Sequence, residues 1–246
     1  MDINNLKQIL SDLRNCDTFV KESFDFYSRS NGIKEHADKF ESRLDDAKIT
    51  KVDECKPKLK SIQNKCEKDN TFAKKSITIS RIDLIKSLFK ALEDCGDRVA
   101  SYVRSDFSSG EKLFKGIEDT EKAIKKLDNL CDEVFSFKDT FDMYFVTNEL
   151  LKFIGDFKVD IVFDVIDDCV DSIKDDEEDI EEFSNFRLDN KIGGNATLEA
   201  KRQKMILLHK KLDKVPGLIY SYEDVAFKIF NKTYQMINGF CDKYNK

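Results

Sequence analysis

The chain has 246 residues, of which 40% are hydrophobic and 37% are charged, and its formal net charge is -6. With 20 phenylalanines it is too apolar and too aromatic for a disordered chain. Only 2 prolines and 9 glycines interrupt it, so long elements are expected, and long elements here mean helices. No segment approaches the roughly 18 consecutive apolar residues that cross a bilayer.

The N-terminal half shows apolar residues recurring at three- and four-residue steps, which is the pattern of amphipathic helices. Helices are predicted at about 3–29, 33–47, 57–72 and 76–104. The first is expected to end at Ser30-Asn31-Gly32, because glycine suits a left-handed C-cap. Pro57 fits the first turn of the third helix.

The C-terminal half continues the helical pattern, with helices predicted to begin near residues 113, 159, 198 and 218. The first of these either extends through Phe145 or gives way to another helix near Lys138. Residues 189–195 form the clearest predicted loop, and Pro216-Gly217 is expected to end the basic helix 198–214. The acidic tract Asp175–Asp179 is expected to be a helix start or a loop.

No segment alternates polar and apolar residues in the manner of a half-buried strand. The sequence therefore predicts an all-α protein, a bundle of about eight mostly long amphipathic helices. We expect one helical unit over residues 1–246, with two subdomains, 1–110 and 111–246, as the alternative.

No recognisable catalytic machinery is present. His36 and His209 lie among charged residues on predicted helices and are expected on the surface. Phosphate-binding, dinucleotide-binding and zinc-protease motifs are absent from the sequence. The acidic tract lacks the glycine and the ligand spacing of a calcium-binding loop. We therefore expect no enzyme activity, no cofactor and no metal.

Seven cysteines are spread along the chain without zinc-ligand spacing: Cys16, Cys55, Cys66, Cys95, Cys131, Cys169 and Cys241. Scattered cysteines suit disulfides that tie distant helices together in an oxidising compartment, and at least two such bonds are predicted. The alternative is that they are buried small hydrophobic residues. The sequons at Asn195 and Asn231 are acceptors for glycosylation if the chain is secreted.

The N-terminus lacks the basic and apolar regions of a signal peptide. Two interpretations remain open at this point. Either the protein is cytoplasmic, or the sequence is that of a mature secreted chain.

Charge is distributed unevenly, because an acidic segment at 128–189 precedes a basic one at 190–214. Such a reversal either pairs within the fold or presents two faces to partners. The candidate surface for an anionic partner, such as a heparan chain, consists of Lys201, Arg202, Lys204, Lys210 and Lys211. A second basic patch consists of Lys56, Lys58, Lys60, Lys65 and Lys68. Nucleic-acid binding is not expected, because the net charge is negative and no binding motif appears.

The layout of the chain resembles the thirty-four-kilodalton family of secreted salivary proteins of blood-feeding mosquitoes. The similarity lies in a helical chain of this size that is rich in Lys, Asp, Glu and Phe, with cysteines dispersed from Cys16 to Cys241. The start at Asp2 also looks like that of a mature protein. The resemblance implies a protein that is injected into a host and acts by binding, on haemostasis or on immune cells. It carries over no functional residues.

The expected function is therefore that of a secreted, non-enzymatic effector, whose partner is a host protein, a receptor or an anionic glycan. Two alternatives remain. One is an intracellular helical scaffold with reduced cysteines. The other is a carrier that holds a small apolar ligand between helices, with the aromatic residues between Phe135 and Phe145 as its candidate lining.

Overall fold

The computed structural model describes residues 25–69, 76–136, 142–188 and 195–245. It is 91% helical and contains no strand in these residues, which confirms the predicted all-α class. The elements are α1 (Asp25–Asp46), a 3₁₀ helix (Ile49–Glu54), α2 (Cys55–Lys68), α3 (Ser76–Arg104), α4 (Gly110–Phe135), α5 (Met143–Gly155), α6 (Asp160–Leu188) and α7 (Asn195–Tyr244). Within the described ranges, no helix combines the length and the apolar character needed to cross a membrane.

Several predicted boundaries match the structure. Helix α3 has the bounds that the sequence predicts, and the predicted break after Arg104 is present, because α4 begins only at Gly110. After α4, a separate helix, α5, begins at Met143, capped by the Asp142 carboxylate, which accepts a hydrogen bond from the Phe145 amide. Residues 3–24 of the first predicted helix and residues 189–194 of the predicted loop 189–195 lie outside the described residues.

The predicted end of the first helix at Ser30-Asn31-Gly32 is wrong, because α1 runs through these residues. Ile33 and Phe40 are both fully buried two helical turns apart, so a continuous helix keeps them on one face. The chain turns after Asp46 instead, where Lys48 takes the left-handed conformation with a φ of 60°.

The predicted end of the basic helix at Pro216-Gly217 is also wrong, because Pro216 lies inside α7. Buried residues continue at helical spacing across the proline, from Leu212 and Val215 to Leu218 and Ile219. A proline inside a helix costs one backbone hydrogen bond, which the burial of this stripe offsets. The acidic tract Asp175–Asp179 likewise lies within helix α6 and is neither a loop nor a helix start.

The fold divides into two compact units, each built from three stretches of chain. The first contains the described residues through Ala37, together with Arg98–Glu121 and Val165–Tyr220. The second contains the described parts of Asp38–Asp97, Lys122–Asp164 and Ser221 onward. The expectation of one helical unit, with subdomains 1–110 and 111–246 as the alternative, stays a prediction.

In the first unit, aromatic rings pack against each other at two places. The rings of Tyr102 and Phe107 lie 5.3 Å apart between centroids, and a Cβ added to Gly116 would come within 3.1–3.2 Å of both rings. His36 stacks on Tyr220 with ring centroids 4.0 Å apart. His36 is therefore half-buried rather than a solvated surface histidine.

The second unit has an aromatic core in which Phe89 contacts Phe153, Phe157 and Phe230, with ring centroids 5.4–5.6 Å apart. Helix α2 packs against α5 through its apolar face, which carries Leu59 and Ile62. This packing leaves the opposite face of α2 toward solvent.

Candidate functional site

The acidic tract of α6 and the basic start of α7 meet within the first unit. Lys211 Nζ lies 2.7 Å from Asp176 Oδ2, and the two side chains are only 3% and 11% exposed. Burial raises the pKa of Asp176, and the positive charge of Lys211 opposes this shift. One helical turn further along α6, Lys204 Nζ lies 2.6 Å from Asp179 Oδ2 in a more exposed pair. This hydrogen bond raises the pKa of Lys204.

These contacts change the predicted surface for an anionic partner. Lys211 is buried, so it is not part of any exposed surface, because its charge is used to neutralise Asp176. Lys204 is exposed but engaged with Asp179, while Lys210 is exposed. The side chains of Lys201 and Arg202 lie outside the described part of α7. Two lysines of the basic helix thus neutralise carboxylates of the acidic segment within the first unit.

Beside these pairs, an open cleft of about 680 Å³ is lined mainly by carboxylates. Its lining includes Asp106, Asp175, Glu178 and Glu182, together with Arg104, whose guanidinium lies 3.2 Å from Asp168. No group of side chains among the described residues has the arrangement of a metal site. The sequence showed the excess of acids but not the cleft, because the cleft depends on how the helices pack.

A second charged surface lies on the solvent side of α2, and we call it the lysine face: Lys60, Ser61, Asn64, Lys65 and Lys68. These residues, with Pro57, line an open groove of about 500 Å³. They recur at three- and four-residue steps, so they share one side of the helix. The apolar residues of α2, Cys55, Leu59, Ile62 and Cys66, are buried.

The five lysines of the predicted second patch fall into two groups. Lys56 lies 3.6 Å from Asp53, and Lys58 lies 3.6 Å from Asp242, so both have carboxylate partners. Lys60, Lys65 and Lys68 are exposed and form no ion pair with any residue that the structure describes. The structure thus separates three lysines available to a partner from two that are neutralised within the unit.

The cysteines and sequons were the remaining predicted sites. Cys16 lies outside the described residues, while the other six cysteines are buried and the structure contains no disulfide among them. The Cys55 and Cys241 side chains are hydrogen-bonded to each other.

Asn231 lies inside α7 rather than in a surface loop, and Thr233 of its sequon is fully buried. Asn195 is the first residue of α7, and its side chain lies outside the described part.

One buried titratable residue gave no sequence signal. Glu223 is fully buried in the second unit, and burial, reinforced by Asp224, raises its pKa to about 7. Arg43 opposes this shift while it binds Asp224 at 2.8 Å. The sequence does not distinguish a buried glutamate beside the apolar stripe of a long helix from an exposed one. Only the packing shows that Glu223 is buried.

Comparison of the chain with protein-family profiles, with curated proteins and with solved structures gives no match. Function is therefore inferred from the charges and geometry of this chain. Of the surfaces described, the lysine face is the one whose positive charges are not used by neighbouring carboxylates.

Proposed function

We propose that the protein is a secreted, non-enzymatic effector that binds an anionic host molecule through the lysine face. The observation that supports this proposal is the group of three exposed lysines, Lys60, Lys65 and Lys68, without a carboxylate partner in the described structure. The partner class is that expected from the sequence: an anionic glycan, or a host protein or receptor with an acidic surface. Binding would modulate haemostasis or the immune response at the bite site.

The spacing of the lysine face favours an extended polyanion over a small anion. Lys60 and Lys68 are two turns apart, which is about 12 Å along the helix axis. Three ammonium groups over that distance contact several anionic groups of one chain and release its counterions. The Ser61 hydroxyl and the Asn64 amide add neutral donors between the lysines. A sulfated glycan meets these requirements, and heparin is its practical probe.

Secretion is part of this proposal and is supported by the cysteine content and by the resemblance to the salivary family. We also propose that the full chain forms a bundle of about eight helices tied by disulfides.

If the protein is instead an intracellular scaffold, all seven cysteines of the native protein will react as thiols. If it carries an apolar ligand, native mass spectrometry will give a mass above that of the chain.

The proposal is tested by the triple variant K60Q/K65Q/K68Q. Its affinity for a heparin oligosaccharide, measured by isothermal titration calorimetry, should fall by at least about tenfold, equivalent to roughly 1.4 kcal/mol. Binding by the unmodified protein should weaken steeply with added salt, because exposed charges are screened beyond about 8 Å at physiological ionic strength.

A matched control is available on α4, where Lys115, Lys125 and Lys126 are also exposed. The variant K115Q/K125Q/K126Q removes the same charge but leaves the lysine face intact, so its heparin affinity should stay close to that of the unmodified protein. Helix content, from far-ultraviolet circular dichroism, should be unchanged in both variants. An equal loss in the two variants would mean that net charge alone governs binding, and no loss in either would reject the lysine face.

A further inference from the structure

The start of α2 and the end of α7 bring two cysteines together in the second unit. Cys55 is the first residue of α2, and Cys241 lies in the last turn of α7. Both are buried, with 3% and 0% of their surfaces exposed, and their side chains are hydrogen-bonded to each other. Beside them, Lys58 Nζ and Asp242 Oδ1 lie 3.6 Å apart and join the same two helices. Two separate contacts therefore hold these two cysteines near each other.

The surroundings assign different roles to the two sulfur atoms. The hydrogen bond from Cys241 lowers the pKa of Cys55 to about 7, with help from Lys58 and against the effect of burial. The same hydrogen bond raises the pKa of Cys241. A helix N-terminus also favours a thiolate, and Cys55 occupies this position in α2. These effects favour the thiolate form at Cys55 rather than at Cys241.

Cys131 provides a comparison for the thiol pKa of a buried cysteine that has no cysteine as a hydrogen-bond partner. It is fully buried in the same unit, and burial raises the pKa of its thiol to about 11. The Cys131 thiol is therefore less reactive than the Cys55 thiol, because the thiolate is the reacting species. Burial alone therefore does not explain the properties of Cys55.

We propose that Cys55 and Cys241 are a disulfide-forming pair, which covalently joins the start of α2 to the end of α7. This inference deepens the proposed function, because it rests on the disulfide-tied fold proposed there and names the pair of cysteines. Its failure would leave binding through the lysine face untouched. The oxidant is a low-molecular-weight disulfide of the glutathione class.

The exchange proceeds in two balanced steps. The Cys55 thiolate attacks one sulfur of the external disulfide, a mixed disulfide forms, and one thiolate leaves. Cys241 then loses its proton to that thiolate and attacks the Cys55 sulfur, so that the second external thiolate leaves and takes a proton from solvent. The protein gives up two electrons, and the external disulfide becomes two thiols.

The first test uses the unmodified full chain, incubated in glutathione buffers of increasingly oxidising ratio. After alkylation and non-reducing digestion, mass spectrometry should detect a peptide pair linked through Cys55 and Cys241, while the count of free thiols falls by two. Detection of both residues as alkylated thiols at every ratio would overturn the proposal. Linkage of either residue to a different cysteine would overturn it as well.

Variants provide an independent test with C131S as the matched control. Oxidation should raise the thermal midpoint by several degrees in the unmodified protein and in C131S, because the new bond closes a loop of roughly 190 residues in the unfolded chain. The rise should be absent in C55S and in C241S. A rise of the same size in C55S would contradict the pairing, and the peptide map of the unmodified protein decides the question if a variant does not fold.

Discussion

Lys204 and Lys211 lie seven residues apart on α7, and each pairs with a carboxylate of α6. The Lys204–Asp179 pair is partly exposed, so water already solvates both charges and the contact contributes little to stability. The Lys211–Asp176 pair is almost wholly buried. If Lys211 were removed, Asp176 would remain as a buried charge without its counterion, and such a charge is strongly destabilising.

We therefore expect K211Q and K204Q to differ sharply in urea unfolding, although each removes one lysine of the same helix. The free energy of unfolding should fall by about 3–5 kcal/mol in K211Q. In K204Q it should fall by less than about 1 kcal/mol. Similar small losses in both variants would show that water reaches the Asp176–Lys211 pair.

At this scale the sequence predicted which residues are charged but not which charges are used within the fold. Lys204 and Lys60 look alike in the sequence, since each sits among other basic residues of an amphipathic helix. Their difference arises because Lys204 faces Asp179 of another helix, whereas Lys60 faces solvent. Ion pairs between residues far apart in the chain depend on packing, which the local pattern does not specify.

Helix ends show the same contrast between local signals and packing. The sequence predicted α3 correctly, because its apolar stripe and the break after it place the end of the helix at the same residue, Arg104. It failed at Gly32 and at Pro216-Gly217, where a local stop signal competes with a buried stripe that continues on both sides. The burial of several apolar side chains is worth more than one lost hydrogen bond or one unfavourable glycine.

The continuity of α7 can be tested at Gly217. A Cβ added at this exposed position would meet nothing within 4 Å, so G217A should stabilise the protein by about 0.5–1 kcal/mol through its higher helix propensity. The matched control is G116A on α4, where the added Cβ would come within 3.1 Å of the Tyr102 ring. We expect no gain or a loss there, measured by thermal unfolding. A loss of stability in G217A would indicate that the chain turns at Gly217 as the sequence suggested.

At the scale of the whole molecule, the contacts define two units of three segments each. The boundaries between segments fall inside helices, for example after Asp97 in α3 and after Glu121 in α4. At such a boundary the helical pattern continues without a linker, so composition could not reveal this arrangement.

The net charge of -6 is also divided unevenly over the molecule. Negative charge collects around the cleft of the first unit, while the lysine face of α2 belongs to the second. A locally basic face lets an acidic protein bind a polyanion, because the field near a surface depends on the charges within about 8 Å under physiological salt.

Protection of lysines from acetylation, measured by mass spectrometry with and without a heparin oligosaccharide, tests the role of the lysine face most directly. Every lysine is read in one experiment, including Lys201 and Lys210 of the basic helix and Lys115, Lys125 and Lys126 as internal controls. We predict that heparin protects Lys60, Lys65 and Lys68 and leaves the other lysines as reactive as before. Protection centred on Lys201, Lys204 and Lys210, or spread evenly over the chain, would contradict binding through the lysine face.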